Sequence, residues 1–199
     1  MGDHILFFYG TLMAPPILHR VIHGHSTPEP WQKDLLTVKP AILHGYRRHR
    51  VRYADYPGII PTSPPPSSTD GNDPTTTGDD GEASVLGTVV WGLTDGDVYR
   101  LDRFEGSEYE KRVVRVRVLE NHHHHHHEGG NRGEAGEIQE VLLDAAETGG
   151  SEIKEGEEVE AVTYVWVAGK ERLEDAAWDF EAFKRDKMAW WVQADEKDW

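Results

Sequence analysis

The chain has 199 residues, enough for one domain with a sizeable core, and it has no cysteine, which excludes disulfides, thiolate metal sites and a cysteine nucleophile. Its formal charge of −15 is concentrated in two stretches: residues 62–84 hold five acids and no base, and 121–160 hold eleven acids against Arg132 and Lys154. The rest carries 20 acids and 19 bases, so the folded body is expected to be nearly neutral, which argues against a nucleic-acid partner.

The first apolar run, "ILFFY", is too short for a signal core, and no run approaches the roughly 18 apolar residues of a membrane span. A soluble, cytoplasmic protein without a membrane partner is expected. "HILFFYG" reads as a buried strand from His4 to Tyr9 that stops at a glycine. "APPILHRVIHGH" follows as a helix opened by prolines, with Ile17, Leu18, Val21 and Ile22 on its apolar face. "LLTVKPAILHGYRRHRVRYADYPGIIP" suggests two strands around His44 and Gly45, closing in a turn at Tyr56-Pro57-Gly58. Residues 62–84 lack apolar anchors and are expected to be a disordered insertion next to the mouth of any pocket in this region.

"VLGTVVWGL" is a strand, and Thr94 with Asp97 forms a capping pattern that starts a helix carrying Val98, Leu101 and Phe104, ended by Gly106. In "YEKRVVRVRVL", Val114, Val116 and Val118 alternate with Arg115 and Arg117, the period of a half-buried strand. The segment after it, with six histidines at 122–127, is expected to be a hairpin tip or a second insertion, disordered over about 121–137. "VEAVTYVWVAG" is the last strand. From Glu171 to Val192 a helical pattern puts Leu173, Ala177, Phe180, Phe183 and Trp191 on one side. Strands outnumber helices and interleave irregularly, so an α+β domain with a mixed sheet or small barrel is expected, occupying residues 1–199 without a linker.

The phosphate-binding, dinucleotide, serine-elbow and zinc-helix motifs are all missing. His19 and His23 have the four-residue spacing of zinc ligands, but Arg20 stands where the catalytic glutamate would be and no third ligand is in view. They read as solvated or capping histidines. The basic faces "RRHRVR" and "RVR" read as solvated or paired with nearby acids, and the aromatic set Trp178, Phe180, Phe183, Trp190 and Trp191 as core packing. Glu105 differs. It sits in the last turn of a helix beside Phe104, where desolvation and the negative helix end both disfavour ionisation and move a carboxyl towards the range of a general base. By itself the position also fits an exposed helix-end glutamate.

"FFYGTLM", "HGYRR", "YPGIIP" and "LDRFEGSEYEKRVVRV", in this order and spacing, resemble the γ-glutamylcyclotransferase-like superfamily, and "WDFEAFKRDKMAWW" is similar to the C-terminal helix of its avirulence-induced-gene branch. Outside the two polar loop insertions, the resemblance covers nearly the whole body and implies a small mixed β-barrel with flanking helices. It implies a substrate carboxylate held by the loop Tyr9-Gly10-Thr11-Leu12 and a catalytic glutamate at Glu105. The implied reaction is intramolecular acyl transfer from a small-molecule γ-glutamyl substrate, giving 5-oxoproline and a free amine, with no metal and no cofactor. Tyr9, Tyr56 and Tyr109 are candidates to orient substrate or base, and spacing does not choose among them. The alternatives are a non-catalytic binding module on the same fold and a γ-glutamyl-amine modifying enzyme of secondary metabolism.

Overall fold

The computed structural model describes residues 2–62, 83–121 and 153–193, together with Ile138 and Leu142. A strand that is apolar on both sides needs two dry faces, and β1 (His4–Phe8) has them: Phe7 belongs to one core cluster, Leu6 and Phe8 to another. The same division runs through β5 (Ser84–Leu93) and β7 (Ile153–Trp166). With β2 (Thr37–His44) and β6 (Tyr109–Asn121) these strands close a barrel in the order β1-β5-β2-β6-β7. Val114, Val116 and Val118 face its interior with Phe7, Leu43, Val89 and Val165, so the valine strand, "ILFFY" and "VTYVWV" share one sheet as expected.

The barrel pairs are antiparallel except where β1 meets β7 in parallel, at Leu6 opposite Val162. Two side chains reinforce this seam: the Thr163 hydroxyl donates to the Phe7 carbonyl at 3.0 Å, and the Tyr9 hydroxyl donates to the Tyr164 carbonyl at 2.6 Å. Thr163 has 0% exposure, so its hydroxyl has no water to turn to.

The middle of the chain departs from expectation. β3 (Tyr46–Arg50) pairs with β4 (Pro57–Pro61) in a separate two-stranded sheet, and Pro57 opens a strand rather than a turn. Gly45, at φ 82°, takes the chain off the barrel, and the reversal comes at Arg52 and Tyr53. Space at position 58 is tight, since a Cβ there would lie 3.1 Å from the Trp166 Cβ. Ile59, fully buried, docks the small sheet onto the barrel interior cluster.

α1 (Pro15–His23) starts at its prolines, ends at Gly24 and buries the four apolar residues read from the sequence. α3 (Asp95–Glu105) has the full Thr94–Asp97 capping box and ends at Gly106, at φ 73°. A short α2 (Pro30–Asp34), capped by Glu29 and Gln32, has no counterpart in the expectations. The expected helix from Glu171 resolves into a single 3₁₀ turn at Lys170–Arg172, then α4 (Phe180–Asp186) and α5 (Met188–Gln193). Between them the chain extends past β3: Arg50 N–H donates to the Ala176 carbonyl at 3.0 Å, and Glu174 N–H to the Arg50 carbonyl at 2.8 Å. Backbone groups satisfied this way have no need of a helix. Of the aromatic set, Trp178, Phe183 and Trp191 are buried on the outer face of the barrel with α1 and α3 as core packing, Phe180 is half-buried against them, and Trp190 is exposed, against expectation.

His19 is buried and stacked on His23 at 5.3 Å, not solvated or capping. The basic faces find partners: Arg115 and Arg117 reach Glu158 at 3.3 and 3.5 Å, because β7 begins at Ile153, earlier than expected. The two segments expected to be disordered fall outside the described residues except at their edges. There Gly45 N–H donates to the Ala83 carbonyl at 2.8 Å, Thr62 N–H donates to the Gly45 carbonyl at 2.9 Å, and Asn121 ends β6. The first segment is rooted at Pro61, the opposite end of β4 from Pro57, and not at the pocket mouth described below. No described helix is long and apolar enough to cross a membrane.

If the seam hydroxyl stabilises closure, Thr163→Val, which keeps the shape and removes the donor, should lower unfolding free energy by about 0.5–1.5 kcal/mol. Urea denaturation at an unchanged slope is the measurement.

Candidate active site

Beyond β1 the chain passes through Tyr9 and Gly10 into a 3₁₀ turn at Thr11–Met13. The Gly10 backbone, at φ −129°, is not left-handed, and the demand for glycine is steric. A Cβ there would lie 2.8 Å from the Pro57 Cδ, a ring atom tied to the backbone of β4. Met13 N–H donates to the Gly10 carbonyl at 3.0 Å and Ala14 N–H to the Thr11 carbonyl at 3.1 Å, which leaves the N–H groups of Thr11 and Leu12 without an acceptor inside the turn.

α3 brings Glu105 to the same place. A cavity of about 360 Å³ is lined by Tyr9, Gly10, Thr11, Leu12, Tyr56, Glu105 and Tyr109, so every site residue expected from the sequence lies around one space. Tyr164, Glu108, Phe104 and Trp191 complete much of its wall. Among the described residues no group of three or more His, Cys, Asp or Glu side chains could hold a metal.

The tyrosine hydroxyls are occupied in holding the wall. Tyr109 donates to the Pro57 carbonyl at 2.7 Å, Tyr9 to the Tyr164 carbonyl at 2.6 Å, and Tyr164 to Asp102 Oδ1 at 2.8 Å. Tyr56 donates to Glu108 Oε2 at 3.4 Å, a long contact, while Glu108 Oε1 accepts from Arg172 at 2.7 Å. Burial pushes all four phenols above their ordinary range, so they stay neutral donors at physiological pH. The Tyr9 carbonyl accepts from Arg48 Nη1 at 2.8 Å, and burial lowers that guanidinium to about 10, leaving it charged.

Glu105 is half-buried, and among the described residues no cation pairs with it and no donor hydrogen-bonds to it. Burial and then the Asp102 carboxylate push its carboxyl up to about 8. The burial is the effect anticipated from Phe104; Asp102 adds a second cause. Sequence reasoning also missed Tyr164, Glu108, Arg172 and Trp191. Asp102 stood in the quoted "LDRFEG" motif, whereas Tyr164 sits mid-strand with no local sign that its hydroxyl reaches α3.

A carboxyl that titrates higher in the folded chain than in the unfolded one favours folding fully below the unfolded value, and that contribution is lost as pH rises through the folded one. Glu105→Gln should therefore match the parent in Tm below about pH 4.5. Its advantage should grow between there and about pH 8 and level off above, as read by thermal melts across pH.

A family model described as γ-glutamyl cyclotransferase, AIG2-like, matches residues 6–130, more than half of the chain. Protein AIG2 C of Arabidopsis thaliana is 24% identical over 182 residues, covering 92% of this chain and 73% of that protein. AIG2-like protein B of the same plant is 25% identical over 191 residues, covering 96% and 75%. Among solved structures, a solution structure from Arabidopsis thaliana covers 96% of this chain and 78% of its own at 22% identity and a TM-score of 0.49. A crystal structure of a yeast γ-glutamyl cyclotransferase specific to glutathione covers 83% and 69% at 18% identity and a TM-score of 0.40. With the barrel, the glycine loop and the "LDRFEG" helix end in the order that the family model spans, the chain belongs to the γ-glutamyl cyclotransferase, AIG2-like family.

Proposed function

We propose that the protein is a γ-glutamylcyclotransferase that turns a γ-glutamyl amide into 5-oxoproline and a free amine, with Glu105 as the proton carrier. The observation that carries this reading is a carboxylate without a counter-ion among the described residues, facing the same cavity as the glycine loop. A buried acid left unpaired is costly to keep, and a substrate ammonium supplies the missing charge.

The substrate's α-carboxylate accepts from the N–H groups that open the turn at Thr11 and Leu12, and its α-ammonium lies against Glu105. α-Amino groups titrate near 7.7–8.0, so a proton passes from ammonium to a carboxylate of about 8 with little change in free energy. The freed amine attacks the γ-carbonyl carbon, and a five-membered ring closes through a tetrahedral intermediate. Protonated Glu105 then gives its proton to the departing nitrogen as the old C–N bond breaks, and the ring nitrogen, which attacked with two hydrogens, passes one to the freed amine, leaving a neutral lactam and an ammonium. The substrate provides the nucleophile, and the rate gain comes from holding it folded in a cavity walled by anchored tyrosines.

Glu105→Gln keeps the shape and removes the titration, so turnover of a γ-glutamyl amide should fall by about 10²–10⁴-fold while ligand binding persists. Release of 5-oxoproline is the assay: near-parental turnover by the variant would leave Glu105 structural and require another base, and no release by the parent would replace the enzyme reading with a binding module. Gly10→Ala drives a methyl group against Pro57, displaces the turn and should raise KM several-fold with little change in kcat. Steady-state kinetics on a folded variant measures the split.

A further inference from the structure

We propose that Asp102 is a positioning residue that sets the proton affinity of Glu105, and that Lys111 and Tyr164 fix it for that task. Asp102 precedes Glu105 by three residues on α3, a spacing that puts both carboxylates on one helix face. Both of its oxygens accept: Oδ1 from the Tyr164 hydroxyl at 2.8 Å, Oδ2 from the Lys111 ammonium at 2.8 Å. One tie comes from β7 and the other from β6, so the carboxylate is pinned from two barrel strands and its distance to Glu105 is held. Tyr164 is itself anchored, because its carbonyl accepts from Tyr9.

The surroundings make Asp102 the anion that matters. Tyr9 faces Glu105 from the loop after β1, Tyr56 from before β4, Tyr109 from β6 and Tyr164 from β7, and all are neutral phenols. Glu108, on the same cavity wall, is tied to Arg172 at 2.7 Å, and Arg103 is exposed on the cavity rim. Lys111 and Asp102 are each more than a third exposed, so their pair adds little to stability as an ion pair. Its value lies in the fixed position of the charge. Burial alone raises the Glu105 carboxyl, and the Asp102 charge raises it further, towards the range of an α-amine.

The inference rests on the cyclotransferase reading only for its kinetic consequence, so the deciding measurement is independent of turnover. The Glu105 side-chain carboxyl is titrated by ¹³C NMR in glutamate-labelled full-length protein, its resonance identified by its loss in Glu105→Gln. In Asp102→Asn the midpoint should fall by about one pH unit, a tenfold change in the ionised fraction. Asp102→Glu should restore it most of the way. In Lys111→Met, which removes the compensating cation and keeps Asp102, the midpoint should rise. An unmoved midpoint in folded Asp102→Asn, or in Lys111→Met should the first variant not fold, overturns the proposal and leaves Asp102 as a tie between helix and barrel. If γ-glutamyl amides are turned over, the acid limb of kcat/KM should move down with the midpoint in Asp102→Asn. Midpoints that move as stated in a protein that releases no 5-oxoproline uphold the tuning and reject the cyclotransferase.

Discussion

Five strands close into a barrel only if the first meets the last, and here they meet in parallel over the single pair Leu6 and Val162. So short a ladder leaves much of the seam to side chains, and Thr163 and Tyr9 provide it through bonds to the Phe7 and Tyr164 carbonyls. The Tyr9 bond does two things at once. It locks the last turn of the barrel wall and sets the start of the glycine loop beside Tyr164, whose hydroxyl reaches α3. Barrel closure and the cavity wall therefore share the same bonds.

Charge is arranged in two ways on this frame. On the outer face of β6 and β7, Arg115 and Arg117 meet Glu155 and Glu158 in exposed pairs that solvent and salt weaken. At the cavity two glutamates three residues apart meet opposite surroundings: Glu108 has Arg172 and Tyr56, and Glu105 has apolar burial and a neighbouring carboxylate. Environments that differ so sharply over so short a stretch separate the two acids: Glu108 is tied as a fixed strut, and the Glu105 carboxyl is left unpaired among the described residues and raised above its ordinary range.

Much of this was legible because it is local. Period-two alternation gave away the valine strand, the Thr94–Asp97 box marked the start of α3, and Gly10 and Gly106 marked the ends of elements. The residues found from the sequence stand at those ends: Tyr9 after β1, Tyr56 before β4, Glu105 closing α3, Tyr109 opening β6. What escaped depends on distant pairing. Tyr164 and Asp102 are 62 positions apart, and Arg172 and Glu108 are 64 apart. The C-terminal helix was over-extended for a related reason, since Leu173 and Ala177 stand at a helical interval but lie in a segment that runs along β3, where Leu173 bridges to Val51 and Ala177 is exposed. Likewise the polarity of His19 suggested the surface, while its place among Ile17, Leu18, Val21 and Ile22 put it inside.

The β6–β7 hairpin runs from Tyr109 opposite Trp166, at the cavity, to Asn121 opposite Ile153. At about 3.3 Å per residue those two ends stand roughly 40 Å apart along the strand. β4 likewise meets the cavity at Pro57 and gives way to the first acidic stretch at Pro61. The chain thus enters each of these stretches at a strand end away from the cavity. Residues inserted beyond Pro61 or beyond Asn121 therefore enter the chain away from Glu105 and the glycine loop, whereas Glu155 and Glu158, within the second acidic stretch, are held in β7 by Arg115 and Arg117.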